Sequence, residues 1–191
     1  MKEIDVRIEG TTPLICNKFT DAAMMAASSG TRSSAVGDRG TPKEQAATKL
    51  YISEITKKPM IPQPNMFRAI IDAGTFHKNG KSKITTQSTS MIPACVDIEG
   101  SEIHLIHKEP WMVDSRAVRI PSTGGRIMAH RPIFNDWALE FTILVDTEMM
   151  TTKLLRQIVD DAGKRIGLGD FRPAKKGPFG KFVVTKWEEK D

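Results

Sequence analysis

The chain has 191 residues, 39% of them hydrophobic and 27% charged, with a formal net charge of +5. That is enough apolar material for one packed domain, which argues against global disorder; no apolar run approaches the ~20 residues that a bilayer span needs. Two widely separated cysteines, Cys16 and Cys95, make neither a disulfide framework nor a metal knuckle, so a reducing cytoplasm and no membrane association are expected.

Residues 3–9 alternate apolar and charged, which predicts a strand with Ile4, Val6 and Ile8 inward rather than a signal peptide. Residues 14–19 are apolar but fit neither period. Residues 20–42, rich in small polar residues and glycine, are predicted to be a mobile loop. Thr41-Pro42-Lys43-Glu44 places a capping Thr, a first-turn Pro and an acid at a helix start, with the helix reaching Leu50 or Ile55. After a proline-interrupted bridge, a second helix starts near Asn65 with the stripe Phe67, Ile70, Ile71 and ends at Gly74.

Residues 82–135 read as a β-rich insertion. Short strands at 92–96 and 103–106 precede two arms, 111–120 and 126–134, around a Pro-Ser-Thr-Gly-Gly turn; together the arms form a long hairpin. Trp137, Leu139, Phe141, Ile143 and Val145 alternate as a core strand. Thr151 or Thr152 caps a helix with Leu154, Leu155, Ile158, Val159 and Ala162 on one face and Gly163 as its C-cap. A glycine-rich loop, 167–180, leads to a last strand, 181–187. Without the insertion the order is strand, helix, strand, strand, helix, strand. This predicts a single α+β domain with a ferredoxin-like, RRM-like βαββαβ core.

The positive charge is concentrated. Residues 115–135 carry +4 through Arg116, Arg119, Arg126 and Arg131, with no acid. Residues 164–181 carry +5, with Arg172, Lys175, Lys176 and Lys181 among six bases against Asp170, so the rest of the chain is at −4. Crowded like charges call for a polyanionic partner. The loop fails as a nucleotide fingerprint, because it follows a helix and precedes a strand, and Gly180-Lys181-Phe182 is not the end of a P-loop. Its backbone N–H groups are candidates to hold phosphate oxygens.

The G-x-G…G-x-G-x-F character of this loop, between the last helix and last strand, resembles the RAMP superfamily of CRISPR-associated proteins. The segment 58–70, Lys-Pro-Met-Ile-Pro-Gln-Pro-Asn-Met-Phe-Arg-Ala-Ile, is similar to an element of their crRNA-binding backbone subunits, with Gln63-Pro64-Asn65 where Gly-Ser-Ser is usual. Small RAMP-like proteins of phages and mobile elements are also similar to the chain. The resemblance implies that the 111–134 hairpin is a "thumb" over nucleic acid, reaching the next subunit of a filament. It implies that the first turn of the second helix, with Asn65 and Arg68, meets phosphates.

The expected function is therefore non-enzymatic binding of single-stranded RNA or DNA, with self-association and no cofactor. Phe171, Phe179 and Trp111 are candidates for base stacking. Two alternatives are a metal-independent ribonuclease using His130 or a loop carboxylate (Asp21 or Asp38), and a decoy subunit docking into a CRISPR complex. His104 and His107, at i and i+3 of a strand, face opposite sides, and no shared metal is expected.

Overall fold

The computed structural model describes residues 1–30, 40–119 and 124–190. In chain order the elements are β1 (Lys2–Gly10), β2 (Leu14–Ile15), α1 (Asp21–Ser28), α2 (Pro42–Ala47), β3 (Met60–Pro62), α3 (Gln63–Ala73), β4 (Lys78–Asn79) and β5 (Ser82–Lys83). They continue as α4 (Ile92–Cys95), β6 (Val96–Ile98), β7 (Glu102–Ile106), β8 (Met112–Arg119), β9 (Arg126–Phe134), β10 (Ala138–Val145), α5 (Thr152–Asp161) and β11 (Phe182–Glu189).

The main sheet has the order β11-β1-β10-β7-β3, with β6 also against β10, and every pairing is antiparallel. β1, then β6 with β7, then β10, then β11 are the four strands of a βαββαβ core, and α3 and α5 are its two helices. The alternation read in β1 and β10 sets the layers. Ile4, Val6, Ile8, Leu139, Ile143 and Val145 are buried on one face, against Met66, Ile70, Leu155, Ile158 and Val159 of the helices. Each such side chain contributes roughly 1.5–3 kcal/mol on leaving water.

Several expectations change. The strand expected at 92–96 is instead the helical turn α4, Ile92–Cys95, and the extended chain begins only at Val96. The second core strand is β6 with β7, so the insertion is not the whole of 82–135. It is the ribbon β8–β9 with its short flanks, because 96–106 pair with β10 and β3. The unclassified stretch after Pro13 is β2, which pairs with β9 and ties the ribbon's base to the core. Within 20–42, Asp21–Ser28 is helical, while residues 31–39 lie outside the described residues. Thr41 caps the helix and Pro42 and Glu44 stand in its first turn as read, with Thr41 and Glu44 bonded reciprocally in a capping box, but α2 ends at Ala47, since the chain must already return for Ile52 to bridge Pro59.

The last helix also ends later than expected. One π-helical turn, Ala162–Ile166, extends α5, and Gly167, at φ 73°, closes it with its N–H on Ala162 O at 2.8 Å. Gly163 serves packing instead. A Cβ there would overlap the Phe182 carbonyl oxygen and lie 2.8 Å from the Phe182 ring, so its smallness lets the helix rest on β11. Gly163→Ala is expected to lower stability by about 1–3 kcal/mol, an overpacking effect measurable by urea denaturation.

Candidate nucleic-acid interface

The glycine-rich loop is stitched to the chain after β1. Gly180 N–H donates to Pro13 O and Asp170 N–H to Ile15 O, each at 2.8 Å, while Leu168 N–H donates to Gly180 O at 2.9 Å. A Cβ at Gly169 would overlap Ile15 O, and one at Gly177 would overlap Phe171 O. The amides of Gly167, Gly177 and Gly180 all donate to protein carbonyls. The glycines therefore provide close backbone approach, and these three do not form the phosphate cradle that the sequence suggested. The loop's side chains are what it offers outward. Lys175 and Lys176 are exposed on a 3-10 turn, and neither makes an ion pair among the described residues.

Beside the loop lies a cleft of about 240 Å³, walled by Asn65 and Arg68 of α3, by Arg172 and Asp170 of the loop, and by Asn17 and Tyr51. Pro62 starts α3 with no side-chain cap, and the first turn of the helix carries no acid to neutralise the positive end of its dipole. Arg68 is held by Asp72 at 2.8 Å, and Arg172 Nη1 donates to Gly169 O at 2.9 Å. Cys16, also on the cleft wall, is buried, which pushes its thiol up to about 12 and keeps it protonated.

The ribbon reaches this loop through a buried charge cluster. Arg131, expected as a surface clamp, is only 5% exposed; its guanidinium donates to Asp114 Oδ2 at 2.9 Å and to Asp170 Oδ2 at 2.7 Å. It is a bolt between ribbon and loop rather than a phosphate contact, because both its terminal nitrogens hold carboxylates. Asn17 Nδ2 donates to the same Asp170 oxygen at 3.0 Å. Two residues further along β8, Arg116 bonds Asp114 at 2.6 Å and lies over the Phe179 ring, 4.6 Å from its centroid.

Burial raises the Asp170 carboxyl, but the hydrogen bonds from Arg131 and from Phe171 N–H, with the Arg131 charge, outweigh it and hold the group below its ordinary value. A carboxyl with a lowered folded-state pKa stabilises fully above its unfolded value, 3.8, and ceases to do so as pH falls through the lower folded value. The ribbon's docking is therefore expected to persist at neutral pH and weaken only in acid. Urea midpoints taken from pH 7 down to about pH 2 check this: Asp170→Asn should flatten the acid limb.

The remaining expected residues are distributed as follows. Arg119 and Arg126 are exposed and directly opposite each other on the last described rung of the ribbon; residues 120–123 lie outside the described residues. Lys181 stands at the loop's exit, its N–H on Thr12 Oγ1 at 2.9 Å. Phe171 is 38% exposed and stacks obliquely on Phe179, centroids 6.0 Å apart, whereas Trp111 packs against the core. His130 lies on the opposite side of β9 from Arg131 and bonds Ser115 Oγ through Nδ1 at 2.7 Å. Asp21 opens α1, and Asp38 lies outside the described residues.

The sheet's open face has the opposite character. Strands β1, β10 and β11 present Glu3, Asp5, Glu9, Glu140 and Glu188 there, against Arg7 and Lys186, with Lys190 just beyond. All three bases are already paired: Arg7 with Glu9 and Glu140, Lys186 with Glu188, Lys190 with Asp5. No aromatic of these three strands points outward there. The stacking platform by which RRM sheets bind RNA is absent from this face, so the topology is RRM-like but the binding surface differs.

No protein-family model matches the chain, and no curated protein matches it. Among solved structures it is similar to a chain of the type III-B Cmr-beta complex, whose cryo-EM structure was determined bound to cognate target RNA. The TM-score is 0.57 over 98% of this chain at 12% identity, and this chain spans 60% of that neighbour's length. Likeness at this identity concerns fold: the chain has an α+β, RAMP-like fold.

Proposed function

We propose that the protein binds single-stranded nucleic acid, RNA foremost, along the side of the molecule where ribbon, cleft and glycine-rich loop meet. One observation carries this reading: Arg131 bridging Asp114 and Asp170, with Arg116 over Phe179, joins the two cationic stretches into one surface, while the opposite face of the sheet is acidic and internally paired. Lys175, Lys176, Arg119 and Arg126 would hold phosphates as point or fork charges. Asn65 and the start of α3 would add a dipole-assisted contact, and Phe171 with Phe179 a stacking surface. The protein would bind without cutting and would line up with further copies, or with subunits of a CRISPR complex, along one strand. The fold shared with a chain of an RNA-bound complex supports this direction.

Native gel shifts with labelled single-stranded RNA, single-stranded DNA and duplex, at several salt concentrations and in EDTA, test it. The expected result is salt-dependent binding of intact single strands in preference to duplex. Cleaved RNA would favour the ribonuclease. No binding of free strands, together with a protein pull-down that survives nuclease treatment, would favour the decoy subunit.

A further inference from the structure

A third cationic element lies outside both stretches. β4 and β5 form a tight hairpin around Gly80, whose φ of 60° admits the turn. Lys78 and Lys83 are directly opposite on its rung, and Lys81 sits in the turn. All three are exposed, and none makes an ion pair among the described residues. Like charges directly opposite across a two-strand ladder destabilise it, and lysines that serve only solubility need no such placement. The hairpin is nonetheless held in place: Asn79 Nδ2 donates to Met149 O at 2.9 Å. Next to it in the chain, Phe76 is 48% exposed with the Arg165 guanidinium 4.8 Å from its ring centroid, and Lys164 is exposed beside that arginine. The same device, a like-charge rung without acids, closes the described part of the ribbon at Arg119 and Arg126.

The hairpin follows the C-terminal end of α3, whose N-terminal end borders the cleft. Eleven helical residues at 1.5 Å each separate the two ends by about 16 Å. We propose that the 78–83 hairpin is a second phosphate-binding element, which takes the backbone of a single strand after it has left the cleft and passed along the helical side of the domain. This rests on the reading of the cleft and loop as a nucleic-acid site and extends the length of strand that one protomer covers. An anion seated between Lys78 and Lys83 would relieve the repulsion that the free protein carries.

The test uses Lys83→Glu, which turns the rung into an opposite-charge pair, with oligouridylates of about 3 and about 24 nucleotides, lengths below and above the roughly 4–16 nucleotides of an ordinary single-strand site. The expected result has two opposed parts. Thermal stability rises, while affinity for the long strand falls several-fold with a shallower salt slope; affinity for the short strand is unchanged. A Lys78→Gln/Lys83→Gln variant, which removes charge without reversing it, should show the same loss on the long strand and stands in if Lys83→Glu fails to fold. Unchanged affinity of both variants for the long strand would overturn the proposal, as would a loss of affinity that accompanies a loss of stability. Failure of the wild-type protein to bind either length would instead remove the underlying reading of the cleft.

Discussion

Arg131→Ala is expected to destabilise the protein by about 3–5 kcal/mol, the range for removing one partner from a buried ion cluster. Asp114 and Asp170 would be left facing each other with no cation between them, and Asp114 has almost no access to water. The loss should be larger than for Arg116→Ala, because Arg116 is 42% exposed and its pair with Asp114 is correspondingly screened. Urea denaturation of the two variants checks the order. Beyond stability, Arg131→Ala should uncouple ribbon from loop, so amide exchange in β8 and β9 should accelerate more than in β1 or β10. Arg131→Met in the background of Asp114→Asn and Asp170→Asn should recover much of the stability, since it is the carboxylates stripped of their buried cation rather than the missing arginine that carry most of the penalty.

Lys175→Ala/Lys176→Ala is the cleaner binding variant. Both side chains are exposed and make no ion pair among the described residues, so the fold should be unaffected, whereas Arg172 also supports the Gly169 carbonyl. Each phosphate contact to a single strand contributes about 0.7 to the slope of log affinity against log salt, so two lost contacts should flatten it by about 1.4. Affinity at moderate salt should fall roughly tenfold or more. Arg119→Ala/Arg126→Ala should flatten the slope similarly. If ribbon and loop grip one strand, the four-residue variant should lose the sum of the two effects. An unchanged slope in either double variant would remove that element from the interface.

The fold was readable where side-chain period alone decides it. Ile4, Val6 and Ile8, and the helix stripe ending in Ile158 and Val159, could face only one core. The second core strand was not readable in the same way. β6 and β7 are short, and a three-residue break, Glu99 to Ser101, splits them, so neither shows a long alternation. Gly163 and Gly167 are both good helix terminators in sequence; the choice between them depends on how close β11 comes, a tertiary distance.

The site was half legible. The exposed bases Lys175, Lys176, Arg119 and Arg126 could be read from local charge. The burial of Arg131 could have been found by counting outward from the 121–125 turn, because the register that opposes Arg119 to Arg126 also opposes Asp114 to Arg131. Asp114 lies one residue outside the acid-free stretch, so local charge does not signal its pairing with Arg131. Asn17, Tyr51 and the partnership of Asp170 with Arg131 come from segments far apart in the chain, and no local pattern joins them.

The central claim is that ribbon and glycine-rich loop form one strand-binding surface opposite an acidic sheet face. Photo-crosslinking to 4-thiouridine-substituted single-stranded RNA, followed by peptide mapping, tests it most directly. Adducts should fall within residues 112–134 and 167–181 of the same protein and be absent from the outward residues of β1 and β11. Adducts concentrated on Asp5, Arg7, Lys186 or Glu188, with none on the ribbon or the loop, would contradict the account.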